Sequence, residues 1–119
     1  MSDFPIPHIA PIRFVKSLNG ADFTSASVNI EFEYIPTLGM LIEAATQSSS
    51  GVLDKHKSDS NMGFLVTVKN VKLLQKLKSK EFIVNILLDN KLGNFKYFSF
   101  NVVDNEEIVA TGIFSIAVQ

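Results

Sequence analysis

The sequence has no cysteine, only two histidines and no surplus of either charge, with eleven Lys and Arg against twelve Asp and Glu for a formal net charge of -1. Without cysteine, disulfide frameworks and thiolate zinc sites are excluded, and the chain suits a reducing compartment. Without a basic surplus there is no electrostatic footprint for nucleic acid. No apolar run approaches the roughly 20 residues that cross a membrane as a helix. The start, Met1-Ser2-Asp3-Phe4-Pro5, lacks the basic-then-apolar pattern of a signal peptide. A cytoplasmic protein that binds neither membrane nor nucleic acid is expected. No histidine pair, glycine-rich phosphate loop or cluster of ligand residues stands in the sequence, so neither a metal nor a cofactor is expected.

At 119 residues the chain is the size of one domain, 1–119, able to bury roughly two-thirds of the surface its unfolded form exposes. Three of its four prolines, Pro5, Pro7 and Pro11, crowd the opening segment, which reads as an irregular lead-in. A strand pattern follows from Ile12 to Ser17, and Asn19-Gly20 is a two-residue hairpin signal. Next, Ala26, Val28, Ile30 and Phe32 alternate with Ser27, Asn29, Glu31 and Glu33, the period of a half-buried strand. Strand patterns resume at Phe64 to Lys69, after which Val71 to Lys80 fits either a continuing strand or a short amphipathic helix, with strand and then loop favoured. Glu81 to Asp89, Phe95 to Val103 and Glu107 to Val118 complete the set, with hairpin-length connections at 90–94 and 104–106. Asp54 to Asn61 is wholly polar and reads as a surface loop.

One segment breaks this pattern. Pro36-Thr37 can start a helix, and Leu38, Met40, Leu41, Ile42, Ala44 and Ala45 then leave it no wet face, with an end expected near Gly51 to Leu53. Something must wrap such a helix, and the sheet is the natural wrapper. The class is α+β, an antiparallel sheet of five to six strands around one long central helix. A sheet of this kind leaves an edge strand exposed, and exposed edges tend to be paired, so a dimer is expected.

The motifs along the chain resemble those of hotdog-fold acyl-thioester proteins, specifically the small β-hydroxyacyl-acyl-carrier-protein dehydratases. Pro7-His8-Ile9-Ala10-Pro11-Ile12-Arg13-Phe14-Val15 is similar to their Pro-His-x-x-Pro-x-x-x-Val lead-in. Glu43-Ala44-Ala45-Thr46-Gln47 resembles their Glu-Ala-x-x-Gln helix motif, and Ile108-Val109-Ala110-Thr111-Gly112 their last strand. The resemblance implies a hotdog fold, an acyl thioester of carrier protein or coenzyme A as ligand, and a homodimer or a hotdog heterodimer. The family's Gly-His-Phe-Pro-Gly loop, whose histidine abstracts the α-proton, is replaced here by Glu33-Tyr34-Ile35-Pro36-Thr37. Dehydration needs a base at one carbon and an acid at the next oxygen, so a lone carboxylate is poorly equipped for it.

Glu43 is accordingly read in two ways: a catalytic or substrate-orienting acid in an acyl tunnel, or a structural acid at a dimer seam. In the hotdog thioesterases a helix carboxylate serves as nucleophile or activates water, chemistry that needs no histidine. Gly39 allows close approach of a thioester, whose oxyanion a first-turn amide can bind, or it serves tight packing. Gln47, four residues on, either holds the Glu43 carboxylate or satisfies a backbone group. Leu38 and Met40, with Ile42, line an acyl tunnel or are core. His8 reads as a structural hydrogen-bonder, His56 as solvated, and Tyr34 as a packing residue with a usable hydroxyl. Lys69, Lys72, Lys76, Lys78 and Lys80 form a solvated face that can attract an acidic carrier or a phosphate. Three functions compete: a divergent dehydratase or its non-catalytic partner, a thioesterase using Glu43, and an acyl-binding module.

Overall fold

A computed structural model describes residues 14–49 and 63–118. The lead-in with His8, the polar loop with His56 and the expected helix end at 51–53 lie outside them. Six strands and one helix follow in the order β1 (Val15–Ala21), β2 (Ser25–Glu31), α1 (Leu38–Ser48), β3 (Gly63–Leu73), β4 (Glu81–Leu92), β5 (Phe95–Asp104) and β6 (Glu107–Val118). All strands join one antiparallel sheet in the order β1-β2-β4-β5-β6-β3. The alternation in the sequence places Val28 and Ile30 of β2, Phe82, Val84 and Ile86 of β4, Phe98, Phe100 and Val102 of β5, and Ala110 and Phe114 of β6 in the core. The helix lies against this face, over β1, β2, β4 and β5.

The first hairpin is not where Asn19-Gly20 pointed. β1 runs through both residues to Ala21, and the chain turns at Asp22-Phe23-Thr24. Asp22 decides the place: its Oδ1 accepts the amides of Thr24 and Ser25, each at 2.8 Å, and both their hydroxyls at 3.1 Å. A carboxylate that gathers two amides defines a turn of its own. Asn19 spends its side chain instead on Asn29 across the strand pair, at 3.0 and 2.7 Å.

The amide of Thr24 above all, then that of Ser25, holds the Asp22 carboxyl below its ordinary value. A lowered folded-state pKa gives stability that is present above the unfolded value and lost as pH falls through the folded one. The turn should therefore loosen below about pH 4. Amide exchange at Thr24 and Ser25 should quicken there in the native protein and show no such acid step in Asp22→Ala. An identical acid step in the variant would contradict the assignment.

The later turns fall where the sequence placed them. Asn105 and Glu106 both take positive φ, 53° and 73°, the form of turn whose twist suits a two-residue hairpin, and Gly93 at 59° helps reverse β4 into β5. β3 continues to Leu73 past a bulge at Asn70, φ 54°, before the connection to β4. Gly112 has a packing reason: a Cβ there would stand 2.7 Å from the Phe100 ring and 3.0 Å from a Val71 methyl. Only a residue without a side chain lets that ring lie across β6.

The helix differs from expectation in cover. Thr37 caps it, its hydroxyl accepting from the Met40 amide at 3.2 Å, and α1 is described as far as Ser48. Thr46, Ser48 and Ser49 turn their hydroxyls back onto the carbonyls of Ile42, Ala44 and Thr46, a habit that weakens a helix's hold on its own last turn. One stripe, Leu41, Ala44, Ala45 and Ser48, is buried at spacings of three and four. The opposite stripe, Gly39, Ile42, Glu43 and Thr46, is exposed or half-buried. A single sheet layer covers one side of a helix, so among the described residues the expected complete wrapping is not achieved.

Candidate functional site

The uncovered stripe of α1 carries the residues that the sequence singled out. Glu43 sits half-buried at its middle. Gln47, buried one turn later, donates from Nε2 to the Glu43 carboxylate at 3.2 Å, and its Oε1 accepts the Phe14 amide at 2.8 Å. Both roles considered for Gln47 are therefore filled at once. The glutamine ties the lead into β1 to the helix and steadies the carboxylate. Phe14 is fixed from its other side by ring contact with Phe32, centroids 4.7 Å apart, and its carbonyl accepts the Glu31 amide at 2.9 Å.

One turn before Glu43 lies Gly39, exposed, with nothing but the Thr37 hydroxyl, at 3.8 Å, near the place of a Cβ. Tight packing within the described chain does not explain this glycine. Of the first-turn amides, that of Met40 goes to the Thr37 hydroxyl and that of Leu41 to the Thr37 carbonyl at 3.1 Å. The amides of Leu38 and Gly39 have no partner among the described residues and point along the axis as the positive end of the helix does. Leu38 and Met40 are half-buried and pack against the core rim.

The connection that replaces a histidine loop, from Phe32 to Thr37, is short and open. Tyr34 is 62% and Ile35 51% exposed, so packing within the chain does not account for Tyr34. Lys80 reaches this connection from the other side, its carbonyl accepting the Phe32 amide at 2.8 Å. The basic run thereby ends beside the start of this connection, and Lys69, Lys72, Lys76, Lys78 and Lys80 are all exposed.

Sequence reasoning missed two features. The Phe14 amide as second partner of Gln47 lies 33 residues away and has no local signal. A depression of about 650 Å³, lined among others by Ser27, Asn85, Asn101 and Thr111, and another of about 470 Å³ near Lys16 and Glu81, do not include Glu43. Among the described residues no group of three His, Asp or Glu is placed to hold a metal ion. Among the described residues no helix is long and apolar enough to cross a membrane.

No family model and no curated protein matches the chain in sequence. Solved structures do match it in shape. The dehydratase heterocomplex ApeI:P from Xenorhabdus doucetiae contains a chain similar at TM-score 0.74 and 13% identity, over 95% of this chain and 87% of that one. A homologue of HP0420 from Helicobacter felis is similar at 0.70 and 19%, over 89% and 79%. A hot-dog-like protein from Thermanaerovibrio acidaminovorans is similar at 0.67 and 18%, over 81% of each chain. The fold is a hotdog. At such identities the likeness carries the fold alone, and the chemistry of this hotdog has to be argued from its own residues.

Proposed function

We propose that this hotdog protein binds acyl chains presented as thioesters, with the uncovered stripe of α1 as the surface that receives the reacting end. The carrying observation is the arrangement on three turns of one helix: an open Gly39 with two unpartnered amides beside it, then Ile42, then a half-buried Glu43 steadied by Gln47. A thioester carbonyl laid on the Gly39 and Leu38 amides meets the positive end of the helix, and its acyl chain runs along apolar Ile42 and Met40. The exposed lysines, of which Lys80 stands beside Phe32 at the start of the connection to α1, suit a negative carrier, either an acidic carrier protein or the phosphates of coenzyme A.

A second hotdog chain completes the site. Among the described residues β3 is an edge strand with its outer ladder unpaired and Leu65 and Val66 about half exposed, so strand addition by a second copy or a related chain satisfies it. The similarity to a dehydratase heterocomplex supports the version in which the partner supplies the loop histidine that 33–37 of this chain do not carry.

Thioester hydrolysis is the second reading, favoured by the free amides one turn ahead of the acid. Glu43 takes a proton from water as the water oxygen attacks the carbonyl carbon, and the amides hold the oxyanion. The carbon–sulfur bond then breaks, the proton passes to the leaving thiolate, and a free acid remains. The protein incubated with a panel of acyl-coenzyme A and acyl-carrier thioesters, read by native mass spectrometry and by thiol release, tests both readings. Retention of an acyl ligand without thiol release is the binding module, and release is the thioesterase. If no acyl thioester is either held or cleaved, the proposal fails.

A further inference from the structure

Asparagine is chemically labile, and most so where the residue after it carries no side chain to shield the backbone nitrogen. Of the asparagines in this chain only Asn19 precedes a glycine; the others stand before Ile, Met, Val, Lys, Phe or Glu. The structure gives Gly20 no other reason to be glycine. Its φ lies outside the left-handed region, and a Cβ there would meet nothing within 4 Å among the described residues. Both residues are exposed, on a strand that has no outer neighbour among the described residues. They also border the depression of about 650 Å³, so water reaches them.

We propose that Asn19-Gly20 is a modification site at which Asn19 loses its amide to become aspartate or isoaspartate, and that Asn29 holds the reaction in check; the inference is independent of the thioester reading. The Gly20 amide nitrogen gives its proton to water and attacks Cγ of Asn19. The bond from Cγ to Nδ2 breaks as Nδ2 takes up a proton, and ammonia departs to leave a five-membered succinimide. Water then adds to either ring carbonyl and opens the ring. The attack requires the Asn19 side chain to swing along the chain onto the nitrogen of the next residue. In the fold it is held across the strand pair instead: its Nδ2 donates to Asn29 Oδ1 at 3.0 Å, and Asn29 Nδ2 donates to Asn19 Oδ1 at 2.7 Å. Asn29 is itself fixed by a further bond, from Nδ2 to the Ser17 hydroxyl at 2.8 Å. Both bonds of the pair have to break before the ring closes, so the pair acts as a latch on the rate.

The fold also has room for the product. β1 pairs Leu18 with Val28 and Gly20 with Ser27, so Asn19 is the extra residue of a bulge in the ladder. Isoaspartate adds one carbon to the main chain, and here the addition falls where pairing is already interrupted. Aspartate keeps an acceptor for Asn29 and loses only the donor. Conversion therefore leaves a folded protein that carries one more negative charge and half of the original pair.

Protein incubated in mildly alkaline buffer, then digested and read by mass spectrometry with the aspartate and isoaspartate peptides separated, follows the conversion site by site. The wild-type chain should convert at Asn19 ahead of its other asparagines when unfolded in urea, and more slowly when folded. Asn29→Ala should raise the folded rate by about tenfold, the effect of freeing a side chain from two hydrogen bonds, with the far-ultraviolet spectrum unchanged. Ser17→Ala, which loosens Asn29 but leaves the pair, should raise it by less. Gly20→Ala, which meets open space in the fold, should suppress conversion in the folded and the unfolded chain alike. A rise in neither folded variant overturns the latch. An Asn19 no quicker than the other asparagines in the unfolded chain, or undiminished by Gly20→Ala, overturns the site.

Discussion

Phe114→Ala should cost about 3–5 kcal/mol of stability and lower the melting temperature by roughly 10–20 °C, the largest effect expected of any single core truncation in this chain. Phe114 is fully buried at the middle of β6, with the Phe98 ring stacked on it at 5.2 Å and the Phe100 ring tilted against it at 5.8 Å. Those neighbours cannot easily close the hole. Phe100 already lies in van der Waals contact across Gly112, and Phe98 is fixed opposite Phe114 in the β5–β6 register. A collapse that recovers most of the loss would need both rings to leave their rotamers. Calorimetric unfolding of the variant measures it, and a loss below about 1 kcal/mol would mean that the core does not centre on this ring.

On the hydrolysis reading, Glu43→Gln should reduce thiol release by about 10²–10⁴-fold, the usual contribution of a positioned general base, while acyl binding is retained. The substitution keeps an acceptor for Gln47, so the link from α1 through Gln47 to the Phe14 amide survives and the fold is not at issue. Binding by native mass spectrometry and turnover by thiol release are thereby separated. Equal turnover in the variant would remove Glu43 from the chemistry. Loss of binding together with turnover would make it a structural acid.

The sequence made most of the sheet legible because alternation survives in every strand that buries one face. Phe82, Val84 and Ile86, or Ala110 and Phe114, could be placed inward without knowing their neighbours. The first turn was not legible, because Asn19-Gly20 satisfies the local rule for a hairpin while Asp22 competes with four hydrogen bonds. Local propensity lost to the stronger set of partners. The cover of α1 was misjudged for a different reason: apolar residues all round a helix say that it is to be covered, not by which layer, and one sheet leaves Gly39, Ile42, Glu43 and Thr46 open. At the candidate site, the Glu43–Gln47 pair was legible from its spacing of four. The Phe14 amide was not, since it depends on a contact 33 residues away.

The claim that α1 receives an acyl thioester is tested most directly by titrating isotope-labelled protein with a non-hydrolysable acyl-pantetheine thioether and following backbone amide shifts. The account predicts saturable shifts centred on Leu38, Gly39, Ile42 and Glu43, with Asn85 and Asn101 on the other side of the sheet unmoved. Shifts confined to the outer face, or none at any concentration, would contradict it.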